Sequence, residues 1–378
     1  MNTHSLFLKK RVLVVPEYDN FGGTLTFFKK LMGILKNNGF EIGVLITQRQ
    51  KFPEVIAFCE KMNAQIFVIP NRNKRYMKSW IATIYEILFG LKAILKFKPD
   101  ILHISCGGYG NMLGFLLFRR PLIFTLLSRP FGRIKMGRNI LFQLFKSPKK
   151  QLTCDSRTSA VALSETVDLP LNQIKVIHNS YHGTDTISTP ESNYILTMGH
   201  FNSYKNPVVW FETAILVLKK CPDTKFIWLG EGDLIKEYKA KIQELGLSES
   251  LILEGYRSNI SDYLQKTFVY FHPSLLESHG IAVIEAMAHG VPCVSSNAGG
   301  LKESIIDGET GYLFDPNDTQ SFAEKIIYLL ENADERDRLS INAVKHVKEN
   351  FSDEKFESEF MDIYYSLLLS SSGNPKKR

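Results

Sequence analysis

The sequence predicts an α/β protein built from two Rossmann-like halves, and three observations carry that expectation. Short apolar runs alternate with segments of helical length along most of the chain, which is the pattern of parallel strands joined by crossover helices. The alternation breaks once, in a stretch rich in Ser, Thr, Pro and Gly at residues 180–193, and then restarts. A chain of 378 residues is also long for a single hydrophobic core.

Taken in order, RVLVV (11–15), EIGVLI (41–46), QIFVI (65–69), ILHIS (101–105), PLIFTLL (121–127) and IKVIH (174–178) read as strands of the first half. Residues 24–37 and 79–96 between them have helical length and periodicity. The second half repeats the pattern with YILTMG (194–199), KFIWLG (225–230), SLILEG (250–255), FVYFH (268–272) and PCVSS (292–296). From about residue 318 to near 370 the chain reads as helical, and its NPKKR ending as frayed. The expected domains are therefore residues 1–185 and 186–355, with 356–378 as a C-terminal helix returning to the first domain and a basic tail.

Composition narrows the class. At 44% hydrophobic and 22% charged the chain is ordinary for a globular protein. Its five cysteines are scattered without a C-x-x-C pair, which argues against a zinc site or disulfide framework and fits a reducing compartment. The first residues lack a signal-like apolar region, and the apolar stretch 80–95 carries Glu86 and Lys92 and is short for a bilayer. A soluble cytoplasmic protein is expected. Charge is divided unevenly: residues 1–189 hold 27 Lys and Arg against 11 Asp and Glu, residues 190–378 hold 19 against 28. The first half is thus suited either to a solvated basic face or to an anionic membrane surface. The cluster Arg129, Arg133, Lys135 and Arg138 is the candidate membrane or acceptor face. No nucleic-acid-binding motif accompanies the charge, so no nucleic acid is expected.

Ligands of such sheets bind beyond the carboxyl ends of the strands. In the second half every one of those loops carries or leads into glycine: Gly199, Gly230 and Gly232, Gly255, Gly280, and Gly299 and Gly300. The segment 272–314 is the richest. It places Glu277 in a loop, Glu285 inside a helix opened by Gly280, and an Ala-Gly-Gly turn after the strand PCVSS. Free N–H groups at a helix start suit an anion, and carboxylates accept from hydroxyls. Phosphates flanked by sugar hydroxyls, as in a nucleotide sugar, fit that combination.

These residues resemble family 4 of the retaining glycosyltransferases with the GT-B fold (glycosyl transferases group 1). The likeness rests on the Glu-x7-Glu pair Glu277 and Glu285 within ESHGIAVIEAMAHGVPCV, the AGG turn, DGETGYLF, GHFNSYKN (199–206), GEG (230–232) and EGYRS (254–258). FGGTLTF (21–27) and PDILHIS (99–105) match more loosely. The resemblance implies two Rossmann-like domains facing each other across a cleft, and transfer of a hexosyl group from a nucleoside-diphosphate sugar to a hydroxyl.

It also implies roles. Lys205 would neutralise the departing diphosphate, aided by the helix start at Gly280 and Ile281 and by the amides after Gly299. Glu285 would bind ribose hydroxyls, and Glu277 the donor sugar, making Glu277, Lys205 and His103 the catalytic candidates. His200, Tyr256 and Arg257 complete the donor-binding set with Gly22, Gly23, Gly199, Gly230, Gly232, Gly280, Gly299 and Gly300. His279 stands where the family commonly has Phe, and either adds a polar contact or fills an aromatic slot. Gly22 and Gly23 form either a loop reaching the ligand or a plain tight turn. His103 lies inside a strand, where a core histidine is equally possible. No Asp-x-Asp occurs, so no metal and no cofactor are expected.

Two departures bear on activity. His200 replaces the family's arginine, and Leu127 or Ser128 stands where a first-domain histidine is usual, with Arg129 as a possible electrostatic substitute. The leading reading is a metal-independent transferase with a UDP-sugar donor and a saccharide or lipid-linked saccharide acceptor, working in cell-surface polysaccharide or glycolipid synthesis at the inner face of the membrane. The alternatives are a degenerate nucleotide-sugar-binding partner of another glycosyltransferase, a GDP-mannose-dependent mannosyltransferase, and, less favoured, an epimerase.

Overall fold

The computed structural model describes residues 9–16, 22–70, 79–106, 115, 118, 120–128, 142–181 and 194–371. The chain divides into two compact units, residues 1–177 with 357–378, and residues 178–356. The sequence reading puts the corresponding boundaries at 185 and 355.

The first unit is a seven-stranded sheet: β1 (Arg11–Pro16), β2 (Glu41–Thr47), β3 (Gln65–Ile69), β4 (Ile101–Cys106), β5 (Leu122–Leu126), β6 (Lys150–Cys154) and β7 (Ile174–Val176) in the order β3-β2-β1-β4-β5-β6-β7. The second is six-stranded: β8 (Tyr194–Met198), β9 (Lys225–Leu229), β10 (Leu251–Gly255), β11 (Thr267–His272), β12 (Cys293–Ser296) and β13 (Gly311–Phe314) in the order β10-β9-β8-β11-β12-β13. Every strand pairing in both sheets is parallel. In each sheet the order reverses once, between β1 and β4 and between β8 and β11. Such a reversal is where doubly wound sheets open a ligand site.

The apolar runs become strands because helices cover both faces of a parallel sheet. Val12, Leu13, Val14 and Val15 are all fully buried, whichever face they point to. The helix Gly23–Asn37 buries Leu25, Phe28, Leu31, Met32 and Leu35 at helical spacing against that sheet. In the second unit Trp210 and Trp228 cross at 5.4 Å in the core beneath β8 and β9.

Two strands escaped the sequence reading. The strand β6, KQLTC, opens on polar residues, and β13, GYLF, is only four residues long, so neither shows the apolar run that marked the others. The helical C-terminal region resolves into Thr319–Glu331, Ala333–Asn350 and Asp353–Ser371. Residues 357–371 of the last helix count with the first unit, where Tyr364 and Phe360 pack on His103. No helix among the described residues is long and apolar enough to cross a membrane. Among the described residues Cys59, Cys154, Cys221 and Cys293 take part in no disulfide.

Candidate active site

The loop after β8 is built to hold Lys205. Gly199 donates its N–H to the Leu229 carbonyl at 2.9 Å, and the Trp228 indole N–H donates to the Gly199 carbonyl at 2.8 Å. Phe201 is fully buried against Trp228 and Tyr238, with ring centroids 4.6 and 5.3 Å away, and anchors the loop. A single 3-10 turn, Ser203–Lys205, then brings Lys205 round. The Asn206 amide donates to the carbonyls of Pro273 (3.1 Å) and Pro316 (2.8 Å), and the Leu275 N–H donates to the Tyr204 carbonyl at 2.8 Å. Lys205 is therefore stitched to the loop that follows β11.

That second loop carries Glu277, and the Ala-Gly-Gly turn fixes its height. Gly300 donates its N–H to the Glu277 carbonyl at 3.2 Å. A Cβ on Gly300 would stand 1.8 Å from the Ser278 oxygen, so no larger residue fits without moving the loop. One oxygen of Glu277, Oε1, then collects three donors: Lys205 Nζ, His272 Nε2 at 2.7 Å and Ser274 Oγ at 3.1 Å. Both members of the Lys205–Glu277 pair are largely buried, their side chains 13% and 12% exposed. Burial alone would push the Glu277 carboxyl up. The Lys205 charge and the His272 hydrogen bond outweigh it and hold the group well below the usual carboxylate range.

The helix Ile281–Ala288 starts from Gly280, which takes the left-handed φ of 87° and leaves the first amides of the helix open. Glu285 sits in this helix, half-buried; burial, with the Glu285 charge as the smaller cause, lifts the Tyr181 hydroxyl to about 12. His289, one turn on, donates its Nδ1–H to the Glu285 carbonyl at 2.9 Å, and its Nε2 lies 3.1 Å from the Ser261 hydroxyl. The loops after β9 and β10 join the same end of the sheet. Gly230 donates its N–H to the Gly255 carbonyl at 2.8 Å, and Phe201 donates to the Glu231 carbonyl at 2.9 Å, with Gly232 pressed against Phe201. Tyr256 is 48% exposed beyond them, and Arg257 pairs with Glu254. His200 lies close enough to Lys205 for that charge, after burial, to lower its pKa, so it is neutral near pH 7.

Three sequence expectations are corrected or removed from the site. His103 is a core residue. It is fully buried, its Nδ1 lies 2.6 Å from the Tyr364 hydroxyl and its Nε2 2.8 Å from Thr125 Oγ1, and burial lowers its pKa to about 3. With both nitrogens satisfied inside the unit, it has no atom to offer a substrate. His279 takes the second of its two readings and fills an aromatic slot. Its ring stacks on His178 at 4.8 Å, meets Phe351 edge-on at 5.3 Å, and has no hydrogen-bond partner for either nitrogen among the described residues. Gly22 is the N-cap of the helix Gly23–Asn37, in extended backbone, so the pair starts a helix and is not a tight turn. Arg129, Arg133, Lys135 and Arg138 lie outside the described residues.

Sequence reasoning passed over His272, Ser274 and Asn206. The signal for His272 was present: a histidine closing an apolar strand stands at the carboxyl end, where ligands bind. Among the described residues no group of three or more His, Cys, Asp or Glu side chains is placed to hold a metal ion.

Residues 185–346 match the model for "Glycosyl transferases group 1". The chain is 32% identical over 146 residues to N-acetyl-alpha-D-glucosaminyl L-malate synthase of Bacillus anthracis, covering 39% of this chain and 38% of that protein. It is 27% identical over 183 residues to an Escherichia coli UDP-Gal:alpha-D-GlcNAc-diphosphoundecaprenol alpha-1,3-galactosyltransferase, covering 47% of each. The chain thus spans less than half the length of these curated relatives. In fold, Anabaena HepE, solved in complex with UDP and glucose, superposes with a TM-score of 0.75 at 17% identity, over 94% of this chain and 100% of that one.

Proposed function

We propose that the chain, whose residues 185–346 match the glycosyl transferases group 1, is a retaining glycosyltransferase using a UDP-sugar. The observation that carries this reading is the buried Lys205–Glu277 pair, set between the start of the helix Ile281–Ala288 and the Gly299–Gly300 turn. A diphosphate drawn to the open amides and to Lys205 would leave Glu277 facing the sugar. Glu285, half-buried one helix turn further, is suited to the ribose hydroxyls.

In the proposed reaction the donor C1–O bond breaks and the acceptor oxygen forms its bond to C1 on the same face. The leaving phosphate oxygen takes the acceptor's proton, so no separate base is needed. Lys205 stabilises charge developing on the diphosphate. The sequence has no Asp-x-Asp, and this charge balance by Lys205 supports a reaction that needs no metal.

A lipid-linked saccharide is the proposed acceptor, as in the Escherichia coli relative named above. The first unit supports a membrane-facing role. Its helix Ser79–Phe97 exposes Leu88, Leu91 and Leu95 along one face, with Lys92 and Lys96 exposed beside them. Apolar side chains flanked by lysines suit an anionic lipid surface.

The test is release of nucleoside diphosphate from a panel of UDP-, GDP- and ADP-sugars, with and without EDTA. Turnover with UDP-sugars that resists EDTA is expected, with Lys205→Ala and Glu277→Gln each lowering kcat by on the order of a hundredfold or more. Binding of UDP without turnover of any donor would instead favour the degenerate, non-catalytic reading, to which His200 in place of an arginine lends support.

A further inference from the structure

The closing residue of β11, His272, is 1% exposed and touches Glu277 from behind. Its hydrogen bonds define a tautomer. An ionised carboxylate only accepts, so Nε2 must carry the proton that it donates to Glu277 Oε1 at 2.7 Å. Burial disfavours the imidazolium, which leaves Nδ1 bare and in need of a donor. The Tyr270 hydroxyl meets it at 3.2 Å; that oxygen accepts the Met198 N–H at 3.3 Å and has the Met198 carbonyl at 3.4 Å as a second, more distant acceptor for its proton. A chain of polar contacts therefore runs from the backbone of β8 through Tyr270 and His272 to one carboxylate oxygen.

All three donors to Glu277 converge on Oε1, and among the described residues none reaches Oε2. Of the three, Lys205 is the one on a flexible stem and the one a diphosphate would recruit. His272 ends the strand, and Ser274, two residues beyond it, is short and buried, so neither can follow it.

We propose that His272 is a positioning residue for Glu277: it pins Oε1 through the Tyr270–His272 chain, presents Oε2 to a hydroxyl of the donor sugar, and keeps the carboxylate in place when Lys205 turns to the diphosphate. This rests on the reading that Glu277 faces the donor. Phe at 272 would keep the bulk and lose the donor atom; Gln would keep an N–H at a similar reach. Further groups act electrostatically on this pair. His200 senses Lys205, His279 senses Glu277, and Tyr270 also senses Cys293 and Glu285.

The experiment has two arms on the full chain. In the first, His272→Phe lowers kcat for donor breakdown by on the order of a hundredfold, raises the pH of the acid limb of kcat/KM, and changes donor KM much less; His272→Gln regains most of the loss. In the second, urea unfolding without ligand compares His272→Phe in the native and Glu277→Gln backgrounds. The destabilisation is expected to shrink once the carboxylate is gone, because the interaction rather than the packing is lost. Equal activity and an unmoved acid limb in His272→Phe, with the same destabilisation in both backgrounds, would overturn the proposal. If the wild type turns over no nucleotide sugar, the functional reading fails, and the coupling measured by unfolding alone decides whether His272 holds Glu277.

Discussion

The strands β4 and β11 occupy the same place in their two sheets, just across the reversal of strand order, and each carries a buried histidine with different work to do. His103 lies in the middle of β4 and spends both ring nitrogens on Tyr364 and Thr125. His272 is the last residue of β11 and spends one nitrogen on Tyr270 and the other on Glu277. Burial makes both neutral and residue type is the same, so depth along the strand separates a core part from a site part. Three residues of chain move a side chain from the middle of a sheet to its carboxyl end, about 10 Å at strand rise.

That contrast can be broken at several points. The largest effect is expected where the site's own frame is disturbed. Gly300→Ala forces a Cβ to within 1.8 Å of the Ser278 oxygen unless the loop moves. Displacing Glu277 in this way should cost about a hundredfold or more in kcat/KM, with a lowered unfolding midpoint from the backbone clash, as assayed by nucleotide release beside thermal melts. Wild-type turnover in this variant would mean that the AGG turn does not set Glu277.

The next effect belongs to the core histidine. His103→Leu leaves the Tyr364 hydroxyl unpartnered while Thr125 keeps its hydrogen bond from Thr153. Destabilisation of about 1–3 kcal/mol is expected in urea unfolding, with kcat of the folded protein unchanged. The pH dependence carries a sign. The folded pKa near 3 lies below the unfolded value of about 6.5, so the unfolded chain binds the proton first and this histidine's stabilisation falls away as pH drops from about 6.5 toward 3. The gap between wild type and variant should therefore be widest above pH 7 and narrow in acid. A loss of kcat in His103→Leu would return this residue to the catalytic set.

The smallest effect is expected at His279. Its two unpartnered nitrogens are buried between His178 and Phe351, so His279→Phe removes an unsatisfied polar ring while filling the same slot. A gain of about 1 kcal/mol or less and unaltered donor KM are expected in unfolding and kinetic assays. A raised KM would show that the ring reaches the ligand after all.

The sequence carried the architecture well because fully buried parallel strands declare themselves as apolar runs: β1, β2, β4 and β8 through β12 were all visible. Strands β6 and β13 were not, since the sheet recruits their polar or very short segments through pairing that no local pattern encodes. At the site, Lys205 and Glu277 were legible as residues in a recognisable order, and the structure brings them into one ion pair. Their partners were not legible. Asn206 bonding to Pro273 and Pro316, or Ser274 and His272 meeting one carboxylate oxygen, depend on where separate loops come to rest. His103 was misplaced for the complementary reason. A polar residue in an apolar strand reads the same whether its partners are a substrate or a tyrosine 261 positions away.

The indole of Trp228 donates to the Gly199 carbonyl at 2.8 Å, at the root of the loop that ends in Lys205. The chain has three tryptophans, and Trp210 packs on Trp228 in the same core. The molecule thus carries an optical reporter wired to the proposed nucleotide loop. Pull on Lys205 through the loop perturbs an indole hydrogen bond, and emission should shift on titration with UDP even where no chemistry follows.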